Sequence, residues 1–219
     1  VKKTSIACKV RLVDRKNVLS IMTAATTTAT PLLHPAKIHR AQLLPRRSPL
    51  TLPRDRVWQI ESGVIRTLAW LNDESLVTLG LWGPGDWVGA SLSTVPHHHA
   101  ECLTDVRATL IPIEQWTPTP RDLLRRCQRT EELLAIRSHR RVEMMLIELL
   151  AWLGRHFGRH TKAGRAIELR LTHQDFADLL GTTRVTITRA FGQLERQGAI
   201  ERSLHRIVLC EDRIWHYDI

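Results

Sequence analysis

The chain has 219 residues, 43% hydrophobic and 25% charged, an ordinary globular composition with enough length for two modest cores. No apolar run approaches the roughly 20 residues of a membrane-spanning helix. The four cysteines, Cys8, Cys102, Cys127 and Cys210, are too scattered for a zinc knuckle or a disulfide framework, which suits a reducing cytoplasm. The net charge of +10 is unevenly placed: residues 1–56 carry 12 Lys and Arg against two acids, but residues 161–219 carry nine against eight. Bulk charge is therefore weak support for nucleic-acid binding at the C-terminal end, where individual arginines must decide.

Residues 1–40 read as a poorly structured extension, with the low-complexity stretch TAATTTAT at 23–30. Met22 offers an alternative start, so residues 1–21 read as an upstream extension of the reading frame. A basic targeting peptide is the competing reading, although no continuous apolar stretch supports secretion. Residues 41–118 change character. Short β-prone runs at 57–60, 64–71, 76–79, 87–89 and 102–113 are punctuated by Glu61-Ser62-Gly63, Asn72-Asp73-Glu74-Ser75 and Gly83-Pro84-Gly85-Asp86. That pattern predicts an antiparallel sandwich or jelly roll. His97, His98 and His99 are expected in an exposed loop after Pro96; neighbours in a strand point apart, so three in a row do not converge on one metal ion. The seven tryptophans are expected mostly in the core.

Residues 119–160 read as helical. Thr119 can cap a helix with Pro120 in its first position. That helix, 121–138, places Leu124, Cys127 and Leu134 on one stripe, interrupted by Glu131. The stripe either packs on the chain's own β domain or forms a dimer seam. A second helix, 140–157, carries Val142, Met145, Leu146, Leu149, Leu150 and Leu153 at core spacing and is expected to end at Gly154 and Gly158.

Residues 161–211 hold the most informative stretch, LTHQDFADLLGTTRVTITRAFGQLE at 171–195. Thr172, with Asp175 three residues on, predicts the start of a helix faced by Phe176, Leu179 and Leu180. Gly181 supplies a tight turn, and Thr182 or Thr183 caps a second helix. Its inward face is Ile187, Ala190, Phe191 and Leu194, which leaves Arg184, Val185, Thr188 and Arg189 outward. Arginine can donate a bidentate pair to guanine, and a Val or Thr methyl can meet a thymine methyl. Gln174, Thr183 and Thr186 are candidates for phosphate contacts. Residues 199–202 and 206–209 predict a hairpin, or wing, around Ser203-Leu204-His205. Solvated arginines on an ordinary helical hairpin are the bland alternative, but turn glycine, apolar positions, outward arginines and wing all agree on a DNA-reading unit. Residues 212–219 remain as a tail.

On these residues the sequence resembles the Crp/Fnr family of bacterial transcription regulators. THQDFADLLGTTRVTITRAFGQLERQGAI matches the winged helix-turn-helix of that family, and TRVTITR is particularly similar to its cyanobacterial nitrogen-regulator branch. IESGVIRTL and GPGDWVG match more weakly the β-roll, or cyclic-nucleotide-binding-like jelly roll. The resemblance implies an α+β protein: an N-terminal antiparallel β-roll, a long dimerisation helix and a C-terminal winged helix-turn-helix. It implies a homodimer through Leu124, Cys127 and Leu134, and a palindromic operator in double-stranded DNA with half-sites near GTA and TAC. It further implies base contacts from Arg184, Val185 and Arg189, with RNA polymerase as a further partner.

Two departures bear on the effector. Ala90 follows Gly89 where the family's cyclic-nucleotide sensors carry Glu, and their phosphate-holding Arg-Ser pair falls near His98 and His99. A phosphate would lack its arginine partner, so cAMP binding in the family mode is not expected. Cys8 alone cannot hold an iron–sulfur cluster. No cofactor and no metal are expected. No nucleophile elbow, P-loop or dinucleotide fingerprint suggests an enzyme. The alternative function is a metabolite- or metal-responsive sensor whose β-roll ligand binding is the main activity.

Overall fold

The computed structural model describes residues 40–72, 75–161, 164–203 and 206–210. The expectations for residues 1–39, for the wing-tip residues Leu204 and His205 and for the tail lie outside these. Strands β1 (Gln42–Leu44), β3 (Arg56–Ser62), β6 (Trp87–Val88) and β8 (Val106–Pro112) form one antiparallel sheet in the order β1-β8-β3-β6. A second sheet joins β2 (Pro49–Leu50), β4 (Ile65–Trp70), β5 (Leu76–Trp82) and β7 (His98–Cys102) in the order β2-β7-β4-β5. Trp58, Ile60, Ile65, Trp82, Cys102, Val106 and Ala108 fill the core of this β-roll. At the β3–β4 turn Gly63 has φ 86°, and a Cβ there would lie 2.3 Å from the Asp105 carbonyl oxygen, so only glycine fits.

Three expectations for this half are corrected. His98 and His99 begin a strand rather than a loop, because they pair with Ala69 and Leu68 of β4, a contact distant in sequence. His98 is half-buried and His99 exposed, on opposite faces. β5 extends to Trp82, three residues past the expected end. Trp58, Trp82 and Trp152 are core, but Trp70 is 51% exposed at the end of β4.

Helix α1 (Pro120–Arg137) starts as predicted: the Thr119 side chain accepts from the Asp122 N–H, and the Asp122 carboxylate accepts from the Thr119 N–H at 3.0 Å. Helix α2 (Val142–Phe157) buries residues along most of its length. Gly154 lies inside α2 rather than at its end. A Cβ there would come within 2.7 Å of the Arg165 side chain and 3.3 Å of Leu209, so the glycine serves close packing; Gly158 ends the helix.

Strands β9 (Arg159–Thr161) and β10 (Gly164–Ile167) have no counterpart among the sequence expectations. They are short and weakly patterned, and β10 is held by pairing with a strand some 40 residues later. After helices α3 (His173–Leu180) and α4 (Arg184–Arg196), strands β11 (Ile200–Ser203) and β12 (Arg206–Leu209) form the expected wing. These four strands make one sheet, ordered β11-β12-β10-β9. A single apolar cluster runs from Val64, Leu81 and Leu103 of the β-roll through α1 and α2 to Phe176, Ile187, Phe191 and Leu194. Truncating a central member such as Leu149, fully buried, to Ala costs about 2–5 kcal/mol by the usual cavity argument.

Candidate nucleic-acid interface

Local chemistry shapes the two helices. Thr172 Oγ1 accepts the Asp175 N–H at 3.1 Å and Asp175 Oδ2 accepts the Thr172 N–H at 2.7 Å, a complete capping box. Gly181 ends α3 at φ 66°, ψ 40°, with no atom within 4 Å of a built Cβ; the left-handed backbone, not crowding, asks for glycine. Thr183, not Thr182, caps α4: its Oγ1 accepts the Thr186 N–H at 3.2 Å. Ile187, Ala190, Phe191 and Leu194 are buried, and Phe191 meets Phe176 edge-on at 5.0 Å.

The opposite side of α4 carries Arg184, Val185, Thr188 and Arg189, all exposed; Val185, an apolar side chain, is 59% open to solvent. These four therefore share one face. Thr183 is exposed and Thr186 half-buried at the same helix end, their hydroxyls 2.8 Å apart. Gln174, exposed on α3, donates to Asp178 at 2.7 Å. Leu124 and Leu134 are 61% and 66% exposed on α1, and Cys127 is exposed with them. Leu133 and Ile136 on the same helix are buried in the shared core. Helix α1 thus packs on its own chain by one stripe and leaves the Leu124–Cys127–Leu134 stripe open.

Two groups of residues escape a reading of the sequence. The first ties the wing to α4. His173 Nδ1 lies 2.8 Å from Thr188 Oγ1, and its Nε2 lies 2.6 Å from an Arg202 Nη1 donor. Arg202 also donates to Glu195 at 3.0 Å, and the His173 ring stacks on Phe191 at 5.0 Å and 14°. Burial, then Arg202 and Arg184, hold the His173 pKa below its ordinary value against the pull of Glu195.

The second ties the β-roll to α3. Arg66, 7% exposed, meets Glu101 at 2.7 Å and Asp175 at 2.8 Å, with Asp178 at 3.7 Å. The Arg66 Nη1 contact with Asp175 is an ion pair without hydrogen-bond alignment. Arg47 forks onto Asp175 and reaches Glu101, while Arg137 donates to the Leu179 carbonyl at 2.6 Å. Burial alone would raise the Asp175 pKa, but bonds from Arg47 and Thr172 and the charge of Arg66 hold it below the usual carboxylate value. Burial pushes the neighbouring Asp178 up.

In the β-roll, Thr67, Trp82, His98, Arg126 and Thr130 line a cleft of about 260 Å³. Arg126 lies 3.9 Å over the Trp82 ring, and His98 Nε2 is buried without a hydrogen-bond partner among the described residues. Ala90 opens a short 3-10 turn, so it brings no carboxylate to this region. Among the described residues no group of three His, Cys, Asp or Glu side chains could hold a metal ion, and no helix is long and apolar enough to cross a membrane.

Comparison with known proteins assigns the class. Residues 140–213 match the Crp-like helix-turn-helix domain. The regulatory protein CysR of Synechococcus elongatus is 37% identical over 186 residues, 84% of this chain and 87% of that protein. The global nitrogen regulator of the same organism is 28% identical over 173 residues, covering 72% and 78%. Among solved structures, a CRP-family transcriptional regulator from Thermus thermophilus superposes with TM-score 0.67 over 77% of this chain and 91% of its own, at 20% identity. FixK2 from Bradyrhizobium japonicum gives 0.66 over 83% and 98%, at 19% identity, so both share the fold. The chain belongs to the Crp/Fnr family of transcription regulators, and its relatives are regulators rather than enzymes.

Proposed function

We propose that the protein acts in the cytoplasm as a homodimer, reading a palindromic operator with two copies of α4 in successive major grooves about 34 Å apart. Arg184 and Arg189 carry most base discrimination, Val185 and Thr188 present methyl groups, and Gln174, Thr183 and Thr186 contact phosphates. Dimerisation uses the Leu124–Cys127–Leu134 stripe of α1, and RNA polymerase is a further partner at promoters. The observation that carries this reading is the division of α4: four exposed residues suited to base edges back onto four that are buried. Arg184→Ala is expected to cost about 1–3 kcal/mol at one base position and to relax preference there. Selection from a random-sequence duplex library checks this; an equal loss on every sequence would contradict a base-reading role.

cAMP held in the family mode is not the expected effector, since Ala90 follows Gly89 and His98 and His99 stand where a phosphate-holding Arg-Ser pair would be. A second reading, a metabolite- or metal-responsive sensor, draws on His98, which lines the Trp82–Arg126 cleft and whose Nε2 is buried without a hydrogen-bond partner among the described residues. A thermal-shift screen with nucleotides, 2-oxoglutarate and metal ions separates the two. Large stabilisation by one compound favours the sensor; none leaves the DNA-reading role alone.

A further inference from the structure

The Thr188 hydroxyl has one proton, and it is committed to the Arg184 carbonyl at 2.9 Å. The 2.8 Å contact between Thr188 and His173 must then be made by an Nδ1–H donating to Thr188 Oγ1. That tautomer leaves Nε2 bare, as the Arg202 donor at 2.6 Å requires. The bonds therefore all point one way, from Arg202 on wing strand β11, through His173 on α3, to Thr188 and the Arg184 carbonyl on α4. Stacking on Phe191 fixes the ring plane, and Glu195 fixes Arg202 from the α4 side. A protonated ring would break the chain, because both nitrogens would donate and one would face a guanidinium. Burial, with the charges of Arg202 from the wing and Arg184 from α4, favours the neutral form, and the opposing pull of Glu195 on α4 does not reverse it.

From this geometry we infer that His173 is a positioning residue for DNA reading: it sets the wing against the first turn of α4 and so holds Arg184 in register with its base. The inference rests on the DNA-reading role proposed above. Selection from a random duplex library, with titration of the preferred and a singly mismatched duplex, tests it in the full-length protein. His173→Ala is expected to lower discrimination at the base read by Arg184 about fivefold, the worth of one ordinary hydrogen bond. In an Arg184→Ala background it should add nothing there. His173→Asn, which can keep a donor near Nδ1, should restore most of the discrimination. Thr188→Val, which removes the receiving hydroxyl at an exposed site, should reproduce the loss and stands in if His173→Ala fails to fold. The inference is overturned if His173→Ala weakens all duplexes equally, or if its effect on discrimination is undiminished without Arg184. If the wild-type protein selects no sequence, the DNA-reading proposal itself fails; if it selects one and Thr188→Val and His173→Ala select it equally well, only the role of His173 falls.

Discussion

Asp175 does two jobs with one carboxylate. It completes the capping box of α3, accepts from Arg47 and forms an ion pair with Arg66 from the β-roll side, with Asp178 and Glu101 as its acidic neighbours. Its folded pKa lies below the unfolded one, so its contribution to stability is full above about pH 4 and is lost as pH falls through the lower folded value. Asp175→Asn leaves two arginines facing a neutral group and is expected to cost about 3 kcal/mol at pH 7. Urea unfolding across a pH series checks this: the gap from wild type should close in acid, and a pH-independent gap would refute the ionic account. At this scale legibility follows distance along the chain. The outward set on α4 is readable because helical spacing is local. The Arg47–Asp175 contact joins residues 128 positions apart, and nothing near either residue announces it. His173 stays hidden for the same reason, since its partners lie on two other elements.

Elements with strong local signals match expectation, and those defined by partners do not. Thr119-Pro120 and Thr172 start helices because side chain and backbone bonds close within one turn. Strands β9 and β10 have no such signal; β10 exists through pairing with β12, and β9 through pairing with β10. Helix α1 sits between these cases: its buried stripe is explained within the chain, its open stripe is not. If a second copy covers that stripe, Leu134→Asp places one unpaired charge per chain into an apolar seam, twice in a symmetric dimer, at about 3 kcal/mol or more. Sedimentation equilibrium should then show monomer at concentrations where the parent chain is dimeric. An unchanged mass would exclude α1 as the seam.

Across the molecule, the β-roll and the winged helix-turn-helix share an apolar cluster and a buried ion group, so they are expected to unfold together. Segment-resolved hydrogen exchange in low urea should give β4 and α3 similar opening free energies. Arg66→Ala leaves Asp175, Asp178 and Glu101 crowded with less positive charge and should separate the two segments, α3 opening first. If both still open together, the apolar cluster alone couples them. Composition and strand punctuation foretell the two halves and their order, but not this coupling, which depends on residues from both.

Helix α1 bears on a third matter through Arg126 and Thr130, which line the β-roll cleft from the same turns that carry Leu124 and Cys127 outward. Cleft and open stripe thus share one helix. By thermodynamic reciprocity, a solute whose binding in the cleft strengthens self-association is itself bound more tightly by the associated form, and by the same factor. Affinity in the cleft and protein concentration then cease to be independent variables: a titration on dilute chain and one on concentrated chain would return different constants for the same molecule.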